Sequence, residues 1–233
     1  MKLRLSNLKT HKENRTKDKR SIQKKFISQM EKYNKETYYL DYECESIQGF
    51  VDKHTSALQT PTQNAIALYY AVRDGFWYNP YEVALAPEKL KASYLLTKPS
   101  GYCVEKALLL AASARAVGIP SRLGFGDVKN HIGTEKLQEF LQSDVMVFHG
   151  YTELFLEGKW VKCTPAFNKE LCEKLGVVPL EFDGKTDSVF QQFTNDGSTF
   201  MEYVNDRGMF HDFPYDEFKF TLEEYYPHFF KGN

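Results

Sequence analysis

Apolar residues recur at helical spacing near the start of the chain. Ile22, Phe26, Met30 and Tyr33 are separated by four, four and three residues, which predicts one face of a helix that begins at Asp18. The same spacing, with a polar cap or Pro at the start and Gly near the end, predicts further helices. They cover residues 46–53, 61–73, 103–117, 134–142 and 168–175, with a shorter one near 87–93.

The helix predicted over residues 103–117 carries small side chains on most of its surface. Its apolar positions include Ala107, Ala111 and Ala114. A helix of this composition lets neighbouring elements approach closely on several sides, so we expect it to be buried. Gly118 is expected to end it, because Gly readily adopts the left-handed backbone that follows a last helical turn.

Strand patterns dominate the second half of the chain. Strands are predicted over residues 122–128, 145–156 and 159–164, and the last two are joined by a tight turn at Glu157-Gly158. Beyond Gly176 the pattern indicates strands and loops without clear bounds.

The tight turn also predicts the register of the hairpin. Paired residue numbers are expected to sum to about 315, so that Glu153 faces Lys162. Side chains alternate along a strand, which places His149 and position 164 on the same face as diagonal neighbours. A side chain at Thr164 is then within reach of the His149 imidazole.

No Gly-, Ser- or Pro-rich linker separates the helical first half from the strand-rich second half. The chain is therefore expected to form one α+β domain over residues 37–233, preceded by a basic arm and helix over residues 1–36. Hydrophobic residues make up 42% and charged residues 26%, which is the composition of a globular protein and excludes a mostly disordered chain.

Charge is unevenly distributed between these two parts. Residues 1–36 hold 12 Lys and Arg against 4 Asp and Glu, whereas residues 37–233 hold 18 against 27. The arm is typical of a solvated helix, and nucleic-acid contact is an alternative expected only through it. No stretch approaches the ~18 consecutive apolar residues of a membrane span, so membrane insertion is not expected. The arm also lacks the apolar region of a secretory signal, which favours a cytoplasmic location.

The four cysteines, Cys44, Cys103, Cys163 and Cys172, form no Cys-x-x-Cys pair and have no His at zinc-finger spacing. A structural metal site is therefore not expected, and disulfides are not expected in a cytoplasmic protein. Two interpretations stay open: four buried thiols, or three buried thiols and one nucleophile.

Cys103 stands at the start of a helix, directly after a Ser-Gly-Tyr turn. The unpaired N–H groups of a first helical turn and the helix dipole both favour a thiolate at that position. His149, inside the long strand, is a candidate base for such a nucleophile. The alternatives are an inert buried thiol and a strand histidine with a structural role.

These residues belong to a recurring pattern. Residues 100–107 and 115–122 resemble the nucleophile helix of the transglutaminase-like superfamily, with its Gly-x-Cys start and its Arg-x-x-Gly-Ile-Pro-x-Arg end. Residues 149–153 are similar to its His-x-aromatic-x-Glu strand, and residues 158–160 to the Gly-x-Trp that opens the next strand. The resemblance covers residues 100–166. It implies a papain-like α+β core, with the nucleophile helix packed on an antiparallel sheet, Cys103 as nucleophile and His149 as base.

The third catalytic position departs from the family pattern. The family has an Asp that orients the His, and Thr164 occupies that position here. A hydroxyl accepts the imidazole N–H but does not stabilise an imidazolium as a carboxylate does. Asn168, or Asp127 in the segment that continues to Asn130 and His131, is a candidate substitute. The alternative for that segment is a polar turn.

The resemblance implies a cysteine-dependent acyl-transfer enzyme that acts on amide or peptide bonds of a peptide or protein. Hydrolysis is favoured over cross-linking, and the chemistry requires neither a metal nor an organic cofactor. The alternative is a non-catalytic transglutaminase-like module that binds a peptide or protein partner. Thr164 in place of the Asp favours that alternative, whereas the presence of both Cys103 and His149 opposes it.

Overall fold

A computed structural model describes residues 28–131 and 135–231. Residues 28–31 are helical and belong to the helix expected from Asp18. The rest of that helix, and most of the basic arm, lie outside the described residues.

The described helices and strands follow the order expected from the sequence. The helices are α1 (Glu45–His54), α2 (Pro61–Gly75), α3 (Ala92–Leu95), α4 (Cys103–Ala116), α5 (Glu135–Leu141), α6 (Lys169–Leu175) and α7 (Tyr215–Tyr225), with 3-10 turns at Pro87–Leu90 and Pro227–Phe230. The strands are β1 (Trp77–Tyr78), β2 (Ser100–Gly101), β3 (Ser121–Asn130), β4 (Val145–Leu156), β5 (Lys159–Cys163) and β6 (Met201–Phe210).

Four of these strands form an antiparallel sheet in the order β5-β4-β3-β6, and β1 and β2 form a separate parallel pair. Helix α4 packs on β4 and β3 and on α1, α2 and α3. The expected α+β class, with the nucleophile helix against an antiparallel sheet, is confirmed. The sequence pattern did not resolve β6 or α7.

The hairpin register is the one expected. Glu153 pairs with Lys162 and Thr152 with Cys163. Glu157 and Gly158 have φ values of +49° and +87°, so both turn residues adopt left-handed backbone and match the twist of the flanking strands.

Local sequence explains where two of the helices start or end. A capping box begins α2: the N–H of Gln63 donates to Thr60 Oγ1 at 3.2 Å, and the N–H of Thr60 donates to Gln63 Oε1 at 2.9 Å. Pro61 occupies the first turn, where it costs no hydrogen bond. After α4, Gly118 has a φ of +76° and ends the helix as expected.

Helix α4 is buried from Cys103 to Arg115, as its small residues predict. Its closest approach to the sheet is at Gly150 in β4, where a Cβ would lie 3.1 Å from the Cα of Val104. One turn further along, Thr152 Oγ1 donates to the carbonyl of Ala107 at 3.0 Å. The helix and β4 are therefore in backbone contact at the end that carries Cys103.

Lys106, in the second turn of α4, is fully buried. Its Nζ donates to the carbonyls of Arg73 at 2.8 Å, Phe76 at 2.8 Å and Ala166 at 2.7 Å. Burial lowers the pKa of Lys106 to about 7. Only the ammonium form has three N–H donors, so the three carbonyls oppose that effect and favour the charged side chain.

Replacing this lysine tests its structural role. Lys106→Met keeps most of the apolar chain but leaves three buried carbonyls without their donor. We expect the free energy of unfolding to fall by about 3 kcal/mol or more, since each unpaired buried acceptor costs about 1–3 kcal/mol. Urea unfolding followed by circular dichroism measures the loss. Lys89→Met, at an exposed lysine, is the control, and an equal loss there would contradict the prediction.

Candidate active site

Cys103 and His149 line the same small cavity. Cys103 is the first residue of α4, and His149 lies in β4. The cavity has a volume of about 40 Å³, and the two side chains are 5% and 1% exposed. The topology thus brings together the two residues that the sequence singles out, in an enclosed space too small for a peptide.

Two opposing effects act on the pKa of the Cys103 thiol. Burial raises its pKa to about 11, and it outweighs the backbone N–H groups of Gly150, Val104 and Cys103, which lower it. The thiolate expected from the helix start is therefore not the stable form of the closed site at neutral pH. The helix N-terminus lowers the pKa of Cys103, as expected, but desolvation raises it by more.

Four tyrosines lie close enough to the sulfur for a thiolate to affect them. Burial raises the pKa of Tyr78, Tyr102, Tyr203 and Tyr226, and a negative charge on Cys103 raises each further. The thiol lies in a buried cavity whose lining includes the rings of Tyr78, Tyr102 and Tyr226.

The imidazole of His149 is also uncharged in this arrangement. Burial lowers its pKa to about 4. Its Nδ1 is buried and, within the described part of the chain, has no hydrogen-bond partner. Because the thiol and the imidazole are both neutral, the closed site does not contain a thiolate–imidazolium pair.

Thr164, the residue in place of the family Asp, is buried directly after β5. Its main chain is held on both sides: the N–H donates to the carbonyl of Ser188 at 2.9 Å, and the carbonyl accepts from the hydroxyl of Tyr69 at 3.2 Å. Its Oγ1 has no partner among the described residues. The hydroxyl therefore does not bond the Nδ1 of His149.

Asn168 makes other contacts than the one with the His149 imidazole that the sequence suggested. Its Oδ1 accepts from the N–H of Tyr78 at 3.1 Å, and its Nδ2 donates to Glu170 at 2.8 Å. Both ends of the amide are thus engaged away from the imidazole. Asn168 positions Tyr78, which lines the cavity beside Cys103.

Asp127 acts on the backbone next to His149. Its carboxylate accepts from Arg207 at 2.6 and 2.9 Å and from the N–H of Phe148 at 3.1 Å. Phe148 has a φ of +56°, and the β3–β4 register shifts at this point. Asp127 and Arg207 therefore hold a strained bulge one residue before His149, instead of bonding its ring.

The two remaining candidates of that segment lie farther out. The Nε2 of His131 lies 3.1 Å from a carboxylate oxygen of Glu202, at a partly exposed position. Asn130 lines a larger, separate pocket. Neither lines the cavity that contains Cys103.

The C-terminal segment covers the cavity. Phe218 and Leu222 of α7, followed by Tyr226, form one wall. The Tyr226 hydroxyl donates to the carbonyl of Val145 at 2.7 Å and accepts from the N–H of Val147 at 2.9 Å. Nothing in the sequence pattern indicated this role, because these contacts join segments about 80 residues apart.

The described residues offer neither a metal site nor a membrane span. In the ranges 28–131 and 135–231, no three His, Cys, Asp or Glu side chains are arranged to hold a metal ion. Among the helices described, none has the length together with the apolar character that a membrane crossing requires.

Comparison with solved structures gives a proposed cysteine protease from Cytophaga hutchinsonii, 13% identical, with a TM-score of 0.43. The alignment covers 76% of this chain and 52% of that one, so the chain spans about half the length of that protein. No curated protein matches the chain with significance.

A family model gives the more direct result. The model of the transglutaminase-like superfamily matches residues 48–165, half of the chain. The match includes Cys103, His149 and Thr164 and extends well before the motifs seen in the sequence. The chain therefore belongs to the transglutaminase-like superfamily.

Proposed function

We propose that the protein is a cysteine-dependent acyl-transfer enzyme that hydrolyses amide or peptide bonds of a peptide or protein substrate. The observation that carries the proposal is that Cys103, at the start of α4, and His149 line one cavity. Cys103 is the nucleophile, and His149 is the base.

The reaction follows from these positions. His149 takes the thiol proton as the sulfur of Cys103 attacks the carbonyl carbon, and the N–H groups of Cys103 and Gly150 stabilise the resulting oxyanion. His149 then gives the proton to the leaving amine, which departs and leaves a thioester on Cys103. Water attacks the thioester, with His149 again as base, and releases the acid.

Opening of the cavity is part of this proposal. In the closed site, burial opposes charge on both reacting groups. Solvent or substrate that enters the cavity reduces this desolvation, which lowers the pKa of Cys103 and raises that of His149. Both shifts favour transfer of the proton from sulfur to imidazole.

Thr164 occupies the orienting position in this scheme. Its hydroxyl lacks the negative charge that stabilises an imidazolium, so we expect slow turnover. The same fact favours the second candidate function, a non-catalytic module that binds a peptide or protein. The unpartnered Nδ1 of His149 and the enclosed cavity agree with that candidate as well.

The remaining assignments belong to the same proposal. Residues 37–233 form one cytoplasmic domain and residues 1–36 a basic arm; nucleic-acid contact through that arm stays the alternative to a solvated helix.

The pH dependence of thiol reactivity tests the closed state. Only the thiolate reacts with iodoacetamide, and opening of the cavity lowers the raised pKa of Cys103 only towards the ordinary thiol value of about 8.5, so the alkylation rate should still be rising above pH 8. A Cys44→Ser background removes the partly exposed thiol. Peptide mapping separates Cys103 from Cys163 and Cys172. A plateau of the rate below pH 8 would indicate an ion pair and contradict the neutral site.

Loosening the C-terminal cover should expose Cys103. Tyr226→Phe removes both hydrogen bonds to β4, each worth about 0.5–1.5 kcal/mol. We expect Cys103 to be alkylated about 5–150 times faster at fixed pH, because the two bonds together contribute about 1–3 kcal/mol and the rate follows the fraction of open molecules. Tyr225→Phe, at the half-exposed neighbouring tyrosine, is the control. Equal rates in both variants would show that α7 does not limit access.

A carboxylate at position 164 tests the catalytic proposal itself. Thr164→Asp should raise the pKa of His149 and shift thiolate formation to lower pH, because no described residue already holds Nδ1. We expect alkylation of Cys103 at pH 7 to increase about tenfold or more, and hydrolysis of peptide p-nitroanilides to increase with it. Mass spectrometry should detect the acyl group on Cys103.

Thr164→Asn has a similar shape without the charge and should produce no such increase. Cys103→Ala gives the background rate of hydrolysis. A folded Thr164→Asp variant with unchanged reactivity and no acyl-enzyme would overturn the enzyme proposal in favour of the binding module.

A further inference from the structure

A second, larger pocket adjoins the Cys103 cavity. Its volume is about 710 Å³, within the range of about 300–1,000 Å³ that binding pockets occupy. Its walls are mainly aromatic and aliphatic: Trp77, Tyr78, Tyr81, Leu137, Phe140, Met146, Phe167, Leu171, Leu175 and Phe200.

Three residues form a wall common to both spaces, namely Tyr78, Pro80 and Met146. The ring of Tyr78 packs edge-on against Phe167, with 4.7 Å between ring centroids. Its hydroxyl lies within the electrostatic range of Cys103, whose charge would raise the pKa of this buried tyrosine. Tyr78 thus lines both the large pocket and the cavity that contains the thiol.

The common wall is fixed to the backbone that leads to Cys103. Tyr78 pairs with Gly101 of β2, and the N–H of Asn79 donates to the carbonyl of Gly101 at 3.1 Å. Asn168 holds the N–H of Tyr78 from the other side. The distance between pocket and nucleophile is therefore set by ordered main chain rather than by a flexible loop.

The lining favours an uncharged occupant. Glu82 and Lys136 are its two charged members and have opposite signs. Lys136 places its Nζ 4.7 Å from the centroid of the Tyr81 ring, so its cationic end already has an aromatic partner. An aromatic side chain gains most from such a pocket, because it buries about 150–250 Å² of surface.

We infer that this pocket binds a large apolar, preferably aromatic, side chain of the peptide substrate, next to the carbonyl that Cys103 attacks. The inference rests on the proposed function and adds the substrate class. Leu171 and Leu175 of α6, together with Phe140 of α5, form the part of the pocket that does not border the Cys103 cavity. They are specificity-determining residues in this assignment.

A pair of matched alkylating reagents tests the inference. Chloroacetamide and N-(2-naphthylmethyl)chloroacetamide both form a carbon–sulfur bond at Cys103 and release chloride, but only the second carries an aromatic group. The rate ratio of the two reagents at Cys103, divided by the same ratio for glutathione, isolates recognition by the pocket. We expect a normalised ratio of about ten or more in the wild-type protein.

Three leucine variants test whether the naphthyl group binds in this pocket. Leu171→Asn places a polar amide in the pocket and should reduce the normalised ratio towards one. Leu58→Asn makes the same change at a leucine that is 97% exposed and should leave the ratio high. Leu171→Trp fills the pocket with apolar atoms and should reduce the normalised ratio by excluding the naphthyl group. Because this variant keeps the pocket apolar, it distinguishes an effect of lost space from an effect of lost folding.

Three other results would contradict either the substrate class or the nucleophile assignment. A normalised ratio near one in the wild type, with Cys103 labelled by both reagents, would overturn the substrate class and leave the nucleophile assignment intact. A high ratio that persists in both Leu171 variants would place the naphthyl group elsewhere and also overturn it. Failure of both reagents to label Cys103, even in Tyr226→Phe, would overturn the nucleophile assignment and the inference with it.

Discussion

The buried ammonium of Lys106 is the contact on which the arrangement of the site depends. It bonds carbonyls at the end of α2, at the start of β1 and in the segment after β5. Two of these segments carry part of the site, since β1 supplies Tyr78 and the segment after β5 begins with Thr164. Lys106 itself lies one turn after Cys103 in α4. One cation thus fixes three parts of the chain against the nucleophile helix.

Desolvation decides the chemical state of the resting site. The helix N-terminus and the N–H of Gly150 favour a thiolate, but burial of Cys103 outweighs them and burial of His149 acts in the same sense. The charge states of Cys103 and His149 therefore depend more on access of solvent to the cavity than on the interaction between the two side chains. Access to the proposed catalytic pair then depends on the segments that line the cavity, here α7 and Tyr226.

Much of the fold could be predicted because it depends on the pattern of apolar, small and turn residues that lie close together in the sequence. The small residues of α4 and the turn at Glu157-Gly158 specified a buried helix and the hairpin register. The bonds of Asn168 and Asp127 could not be predicted, because their partners Tyr78 and Arg207 lie 90 and 80 residues away in sequence. β6 and α7 were missed for a related reason: β6 pairs with β3, and α7 contacts β4, in parts of the chain far from them in sequence.

The contact of Tyr226 with β4 has the form of a strand pairing. β5 pairs with β4 only from Thr152 onward, so among the described residues no strand lies beside Val145 to Val147 on that side of β4. The phenol hydroxyl supplies one donor and one acceptor to this edge, as the N–H and C=O of one residue in an added strand would. An extended peptide that displaces Tyr226 therefore keeps the number of hydrogen bonds constant. Uncovering the thiol and aligning a backbone beside His149 would then be one exchange, in which hydrogen bonds of the peptide replace those of Tyr226.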